Sequence, residues 1–492
     1  MHKILIIWVF VLCSAELISQ NYTQKIFPDD PRTGVFFGRY IELNDDNAFI
    51  GAYLDYENGA SSGSLYVFDL KADKFEQTSK LYPDDGAVED YFSYSVSSYE
   101  NFLITGAHHD SDLGASSGSA YILKKNNGKW DFYQKIIPSD GKEADEFGKT
   151  VAIFEGRAVS CAYLDDDKGT NSGSIYTYEL LNENWEIRSK IYASDPEPQS
   201  LFGLTLDLYK NYLIAGAPFF NGSGIDIGKA YVFVYDGTEW KETAALVPAG
   251  LDDLDQFGSA VKITDNHAFI SAIKDDDKGD NSGAVYIYSR NVDNSWELTQ
   301  KISAPDGSQG DGFGIALEGN DTILFVGAYF DDDNGINSGS LYIFTKEEAG
   351  WGFSKKITPT DGDESDAFGS SLAFGENGLL VGAYSDDDNG FFSGAVYYFS
   401  LKDLNTVTTK NIGVSETINV YPTLIADHFT VEKSSVTGDL EFDIINLNGL
   451  KVFSGFIKKY EQTIDLSTLS KGTYILKVKF PGFCKYYKII RT

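Results

Sequence analysis

At 492 residues, with 42% hydrophobic and 14% aromatic content, the chain is too long for one small core and too apolar to be disordered. Its formal net charge of −33 excludes nucleic acid and anionic membrane as partners, because their phosphates would be repelled. With 31 Tyr, 34 Phe and 48 Gly, it favours strands and tight turns over helices.

The first residues read as a targeting segment. Lys3 precedes the apolar run Ile4 to Leu12, and small and polar residues continue to Ser19-Gln20. That pattern predicts a secretory signal over 1–19, with an apolar run too short to span a bilayer. Cys13 opens a lipoprotein reading, against which Leu12 stands where a small residue is wanted. No later stretch reaches transmembrane length. Beyond the signal only Cys161 and Cys484 remain, so a disulfide framework is not the stabilising device. Export combined with so few cysteines points to a bacterial exterior.

From Tyr22 to about Leu401 the chain is a repeat. Phe-Gly pairs stand at Phe37-Gly38, Phe147-Gly148, Phe202-Gly203, Phe257-Gly258, Phe313-Gly314 and Phe368-Gly369, and Phe92-Ser93 fills the one gap, making seven units. Each unit then has a Gly-Ala pair or a close variant, such as Gly51-Ala52 or Cys161-Ala162. A Gly before an apolar-Tyr run follows, with Tyr66, Tyr121, Tyr176, Tyr231, Tyr286, Tyr342 and Tyr397 in register. Most units end in a Lys-Ile-x-Pro-like stretch. Alternating apolar runs split the first unit into four strands, about Gly38–Leu43, Ala48–Leu54, Gly63–Leu70 and Lys74–Tyr82. Four short strands repeated seven times predict an all-β fold, a seven-bladed β-propeller whose sheets bury their faces on one another. The seventh unit stops after its third strand, whereas Tyr22–Pro28 carries a fourth-strand signature, Lys25-Ile26-Phe27-Pro28. The N-terminal strand is therefore expected to complete the last blade and cover an open edge.

These landmarks resemble the FG-GAP repeat, the blade unit also found in integrin α-chain propellers, over residues 22–401. The integrin-type calcium loop lies between the Phe-Gly and Gly-Ala strands, and here that link is a short hairpin, as at Asn44-Asp45-Asp46-Asn47. The resemblance therefore does not carry calcium over by that motif. It is closer to a bacterial variant whose Asp run follows Gly-Ala.

That Asp run is the candidate metal site. Carboxylates stand three and five residues after the Ala in six units: Asp55/Glu57, Asp110/Asp112, Asp165/Asp167, Asp275/Asp277, Asp331/Asp333 and Asp386/Asp388. Unit four breaks the pattern with Phe220 and Gly222. Alternate carboxylates in a turn can converge on a hard cation, calcium being the ion such loops take. Asp and Gly are also what solvent-exposed tight turns select, so a purely structural turn is the competing reading. The inter-blade links are acidic too, which predicts one strongly negative face. Tyr53, Tyr163, Tyr329 and Tyr384 lie at its edge, where rings can stack on sugars or pack strand ends. His108-His109 replaces the Tyr-Leu of other units and reads as a surface substitution, while His267 and His428 stand alone. No nucleophile elbow, zinc-protease helix or phosphate loop appears.

After a linker over 402–415 a second β pattern begins, with ten Lys/Arg against eight Asp/Glu from Gly413 to Thr492. Runs at Thr417–Tyr421, His428–Glu432, Leu440–Asn446, Lys451–Phe456, Gln462–Leu466, Gly472–Phe480 and Tyr486–Arg491 predict a small sandwich over 416–492. Val420-Tyr421-Pro422, Gly449, Ile464-Asp465-Leu466-Ser467, Lys471-Gly472-Thr473-Tyr474-Ile475 and Lys488-Ile489-Ile490 resemble the type A C-terminal sorting domain of the type IX secretion system of Bacteroidetes bacteria. The family usually has Asn-Pro after its Tyr-Pro, where Thr423-Leu424 stand here. The resemblance implies the export machinery as a partner, and release or attachment at the cell surface. The tail's other reading is an accessory binding sandwich.

The chain is thus expected to be a secreted or cell-surface, monomeric, non-catalytic propeller that binds an extracellular protein or glycan. A secreted carbohydrate-active enzyme using acidic-face carboxylates is the alternative from another class. A structural coat protein without a specific ligand is the third.

Overall fold

The computed structural model describes residues 22–408 and, beyond them, 417–421, 424–425, 428–434, 440–446, 450–459, 461–480 and 483–491. The segment read as a signal, 1–19, lies outside the described residues, as do Pro422, Thr423 and Gly449 of the tail motifs.

The repeat folds as seven four-stranded antiparallel sheets. In the first unit the strands are Ile41–Asn44, Asn47–Ala52, Ser64–Lys71 and Lys74–Leu81, paired in chain order. The second strand is buried throughout and the fourth is half exposed, so each sheet runs from a dry inner region to a wet rim. Core clusters span neighbouring sheets. Phe37, Tyr66 and Phe68 of the first sheet share one with Ile26, Leu380, Val396 and Tyr398 of the seventh. The repeat landmarks acquire physical meaning here. Every Phe of the Phe-Gly positions is fully buried, and it meets the in-register Tyr edge-on at 5.2 to 5.4 Å between ring centroids, the favoured geometry for aromatic pairs. The glycine before each third strand lets two backbones touch. Gly118 bridges to Phe147 of the next sheet, with φ +83° and the Phe147 carbonyl 2.0 Å from where a Cβ would sit.

The N-terminal strand Gln24–Ile26 pairs antiparallel with Ala395–Ser400, so the seventh sheet draws its strands from both ends of the repeat. The first strand of that sheet meets the first sheet through Ser371, whose Oγ donates to the Gly38 carbonyl at 2.7 Å. The first strands of all seven sheets line one axial cavity of about 390 Å³.

The stretch read as a linker opens instead with a helix, Leu401–Thr408. Ser400 and Asp403 form its cap. The Asp403 amide donates to Ser400 Oγ at 3.3 Å and the Ser400 amide to Asp403 Oδ2 at 3.2 Å. Leu404 is buried against the seventh sheet's core, which fixes the helix despite its short length. The tail pairs a three-stranded with a five-stranded sheet over a shared core that includes Phe429, Ile464, Phe442 and Leu476. Its Leu424–Ile425 strand, parallel to the last strand, is too short to leave an alternation signal.

Candidate functional site on the axial face

Each link between sheets lies against the acidic loop of the preceding sheet. The amides of Glu89, Tyr91 and Phe92 donate to the carbonyls of Ala60, Ser61 and Ser62. Loops and links therefore share one face, as topology predicts for antiparallel blades.

On that face the paired carboxylates come together around lysines. Lys80 Nζ lies 2.9 Å from Asp55, 2.6 Å from Glu57 and 2.7 Å from Asp30 of the preceding link. Lys135 joins Asp110, Asp112 and Asp85; Lys190 joins Asp165, Asp167 and Asp140; Lys356 joins Asp331, Asp333 and Asp306; and Lys25 joins Asp386, Asp388 and Asp361. Lys301 holds only Asp275 and Asp277, because Gly250 stands where the link carboxylate would be. In every pair the first carboxylate is buried. Asp55 accepts the Glu57 amide at 2.8 Å on one oxygen and the Tyr66 hydroxyl at 3.0 Å on the other. The lysine also sits 5.0 Å from the Tyr66 ring centroid. Burial alone would lower the Lys80 pKa, but hydrogen bonds to Asp30, Glu57, Tyr66 and Asp55 raise it.

The fourth sheet shows that these parts belong together. Where the others have the first and second carboxylates it has Phe220 and Gly222, and opposite Tyr231 it has Ala245 in place of the lysine. Lys229 fills the space, 4.5 Å from the Phe220 ring centroid and 2.5 Å from Asp195. Where calcium and a structural turn are the two readings of these loops in the sequence, the structure places a lysine ammonium among the carboxylates. The Lys-Ile-x-Pro lysine is the functional group that sequence reasoning missed, and its signal was the joint loss of acid and base in unit four. The melting temperature of the full chain is expected to be the same in excess EDTA and in millimolar calcium at constant ionic strength. A calcium-specific rise, unmatched by magnesium, would return the loops to metal binding.

A second set of acids is sealed beneath the links. Asp90, Asp145, Asp255, Asp311 and Asp366 are buried, and each accepts the amide three residues upstream at 2.6 to 2.8 Å. Burial, reinforced by the loop aspartates nearby, pushes Asp255 and Asp311 up to about 6 and Asp366 to about 7.

Toward the axis the face is aromatic on one side. Tyr329 and Tyr384 are 6.1 Å apart, Tyr384 and Phe36 5.4 Å, Phe36 and Tyr53 6.0 Å, and Tyr53 and Tyr94 5.1 Å, all between ring centroids and all partly exposed. This arc spans the sixth, seventh, first and second sheets. Exposed Phe330 and Phe391 extend it outward. At its end is His108, which sequence reasoning placed on the surface but which is buried against Tyr94, with ring centroids 4.1 Å apart. Among the described residues, His108, His109 and Glu146 are the one set whose potential metal-ligand atoms lie within 4.8 Å of one another. The Lys149 ammonium sits 3.3 Å from His108 Nε2, so a cation already holds that place as well. Burial and the Lys149 charge hold His108 well below the usual range, hence neutral. His267, isolated in sequence, pairs with Asp321 at 2.9 Å.

The comparisons with known proteins agree with this architecture. A family model described as the FG-GAP repeat matches residues 21–68, 75–123, 130–178, 185–233, 240–288, 296–344 and 351–399, together more than half of the chain. A second, described as a secretion system C-terminal sorting domain, matches residues 419–490. That tail marks the chain for type IX export and the outer surface. No curated protein matches the chain. Among the described residues no helix is long and apolar enough to cross a membrane.

Proposed function

Because this chain belongs to the FG-GAP repeat family and ends in a type IX sorting domain, we propose that its propeller is a non-catalytic binding module for adhesion at the cell exterior. The observation that carries this reading is the aromatic arc beside the axial cavity, a partly exposed platform assembled from four sheets. Rings held by one another in a rigid scaffold offer large contact area at little entropic cost. The carboxylates of the same face suit catalysis poorly. The paired carboxylates of the loops are tied to lysines, and those with pKa values raised toward neutrality on this face, Asp255, Asp311 and Asp366, are sealed from solvent. A glycosidase needs an acid and a partner carboxylate that both reach the substrate.

The test is an array of extracellular polysaccharides and matrix proteins probed with the full chain and with Tyr53→Ser/Tyr384→Ser. The expected result is capture of at least one ligand without release of products, lost in the double variant. Product release abolished by a single Asp or Glu substitution would establish the enzyme instead. Blank arrays would favour a coat protein.

A further inference from the structure

The acidic face has a cationic centre. Arg39 and Lys149 line the axial cavity, and no carboxylate is among the residues that line it. Both follow the Phe-Gly motif directly, at the inner end of the first strand in the first and third sheets. Every lysine of the loop clusters is saturated with carboxylates, but among the described residues neither of these two cations has one within 4 Å. Arg39 instead lies over Tyr384, 4.6 Å from its ring centroid, with Tyr40 at 5.7 Å. Lys149 Nζ lies 4.0 Å from the Tyr94 centroid and 5.2 Å from that of Tyr163. The Tyr40 and Tyr94 rings, 4.6 Å apart, bridge the two cations. The nearby carboxylate of Glu146 is engaged elsewhere, accepting from the Tyr163 hydroxyl at 2.8 Å and lying 3.6 to 3.7 Å from His109 and His108.

The local potential is positive enough to show in a neighbouring group. Burial would raise the Tyr94 pKa, yet the Lys149 charge, hydrogen bonds from Tyr40 and Lys149, and the Arg39 charge bring it below the ordinary value. An unpaired cation pair in a protein of net charge −33 is costly to maintain unless an anion completes it. Deeper in the channel the sign reverses. Three residues along the same strands, Glu42, Asp207 and Glu318 surround Lys262, which lies 3.1 Å from Glu318 and 3.6 Å from Asp207. An anionic group is therefore attracted at the mouth and stopped below it.

The remaining lining narrows the ligand. The hydroxyls of Ser95, Thr150 and Thr205 donate to the carbonyls of Gly148, Gly203 and Gly258 across the sheet boundaries, which leaves their oxygens to accept from a ligand. A cavity of acceptors beside aromatic rings suits a sugar, whose hydroxyls donate and whose C–H faces stack. The rim of acidic loops repels dense polyanions, although screening beyond about 8 Å at physiological ionic strength spares a single charge at the centre.

We propose that the axial mouth binds a uronic acid residue of a sparsely charged polysaccharide, with Arg39 and Lys149 on its carboxylate and the aromatic arc along the chain. The proposal rests on the binding-module reading above.

Titration calorimetry of the full chain with a neutral trisaccharide that carries a single uronic acid residue, its methyl ester, a heparin hexasaccharide and a short peptide with a free C-terminal carboxylate tests it. The acid is expected to bind roughly ten- to a hundredfold tighter than its ester, the range of a charge-assisted hydrogen bond or two. Heparin and the peptide are expected to bind more weakly than the single-uronate acid. Arg39→Gln and Lys149→Gln should each narrow the gap between the acid and its ester. Equal affinity for acid and ester in the unaltered chain overturns the proposal, and that comparison requires no variant to fold. Preference for heparin or the peptide overturns it too. A chain that ignores the uronate but captures another ligand on the array sinks this inference alone, whereas one that captures nothing sinks the binding-module reading with it.

Discussion

Gly118→Ala is expected to leave little folded, soluble chain. Two independent penalties meet at this position. Its φ of +83° strains any L side chain by about 1–2 kcal/mol. The new methyl would also stand 2.0 Å from the Phe147 carbonyl oxygen and 2.4 Å from its amide nitrogen, both backbone atoms of the next sheet. Neither can rotate away, so the two sheets must separate, and with them the buried core that Ile104, Ala120 and Ile122 of the second sheet share with Phe147 and Val151 of the third. A loss above about 4 kcal/mol follows, in the range reserved for such core failures. Gly128→Ala supplies the control. It shares the sign of φ, at +81°, but has nothing within 4 Å of the new Cβ, so only the strain of about 1–2 kcal/mol remains. Denaturant titration of both variants separates the causes. Similar losses for the two would mean that the sheets do not touch as tightly as the backbone distances indicate.

Lys356→Met is expected to cost about 3–5 kcal/mol, because Asp331, Asp333 and Asp306 would be left facing one another, with Asp331 almost wholly buried. The loss should depend on pH with a definite sign. Without the ammonium, mutual repulsion raises the carboxylate pKa values of the folded variant above their unfolded values near about 4. The variant's stability is then greatest below that pH and falls as pH rises through the raised values. Millimolar calcium, without effect on the parent, should recover part of the loss. Lys356→Ala combined with Asp331→Phe copies the fourth sheet, where Phe220 and Ala245 occur together, and is expected to cost less than the sum of its single changes. Additive costs, or a deficit independent of pH between 4 and 8, would show that the cluster does not act as a unit.

Much of this architecture is legible in the chain because its signals are local or periodic. The Phe-Gly spacing marks seven sheets, and alternation places strands such as Asn47–Ala52 and Gly472–Phe480 within a few residues of their ends. Even the N-terminal strand is readable, since Lys25-Ile26 repeats a fourth-strand motif. The Ser400/Asp403 cap is visible too, but a helix of eight residues leaves too little periodicity to stand out. The site is harder for a physical reason. Asp30, Asp55 and Lys80 meet only when the third and fourth strands pair in a register that puts Tyr66 opposite Lys80. The axial mouth is harder still: Arg39, Tyr94 and Lys149 hold the same position in three successive repeats, directly after the Phe-Gly landmark, but Leu204, Ser259, Ile315 and Ser370 hold it in the others, so no recurring residue type marks it, and only the sheets' arrangement brings it beside Tyr384.

The seam between the two ends also sets an order in time. Lys25 emerges first from synthesis, yet its partner Asp388 lies 363 residues later. Six sheets can each assemble from one continuous stretch of chain, whereas the seventh has to wait until the last repeat is present. So remote a contact is entropically slow to find, although its cost grows only weakly with the length of the intervening chain. A chain cut short anywhere before Ser400 leaves Gln24–Ile26 without its full partner strand, and the unpaired edge exposes it to proteases. Sealing the seam therefore reports that the whole array has arrived, just ahead of the tail that directs its export.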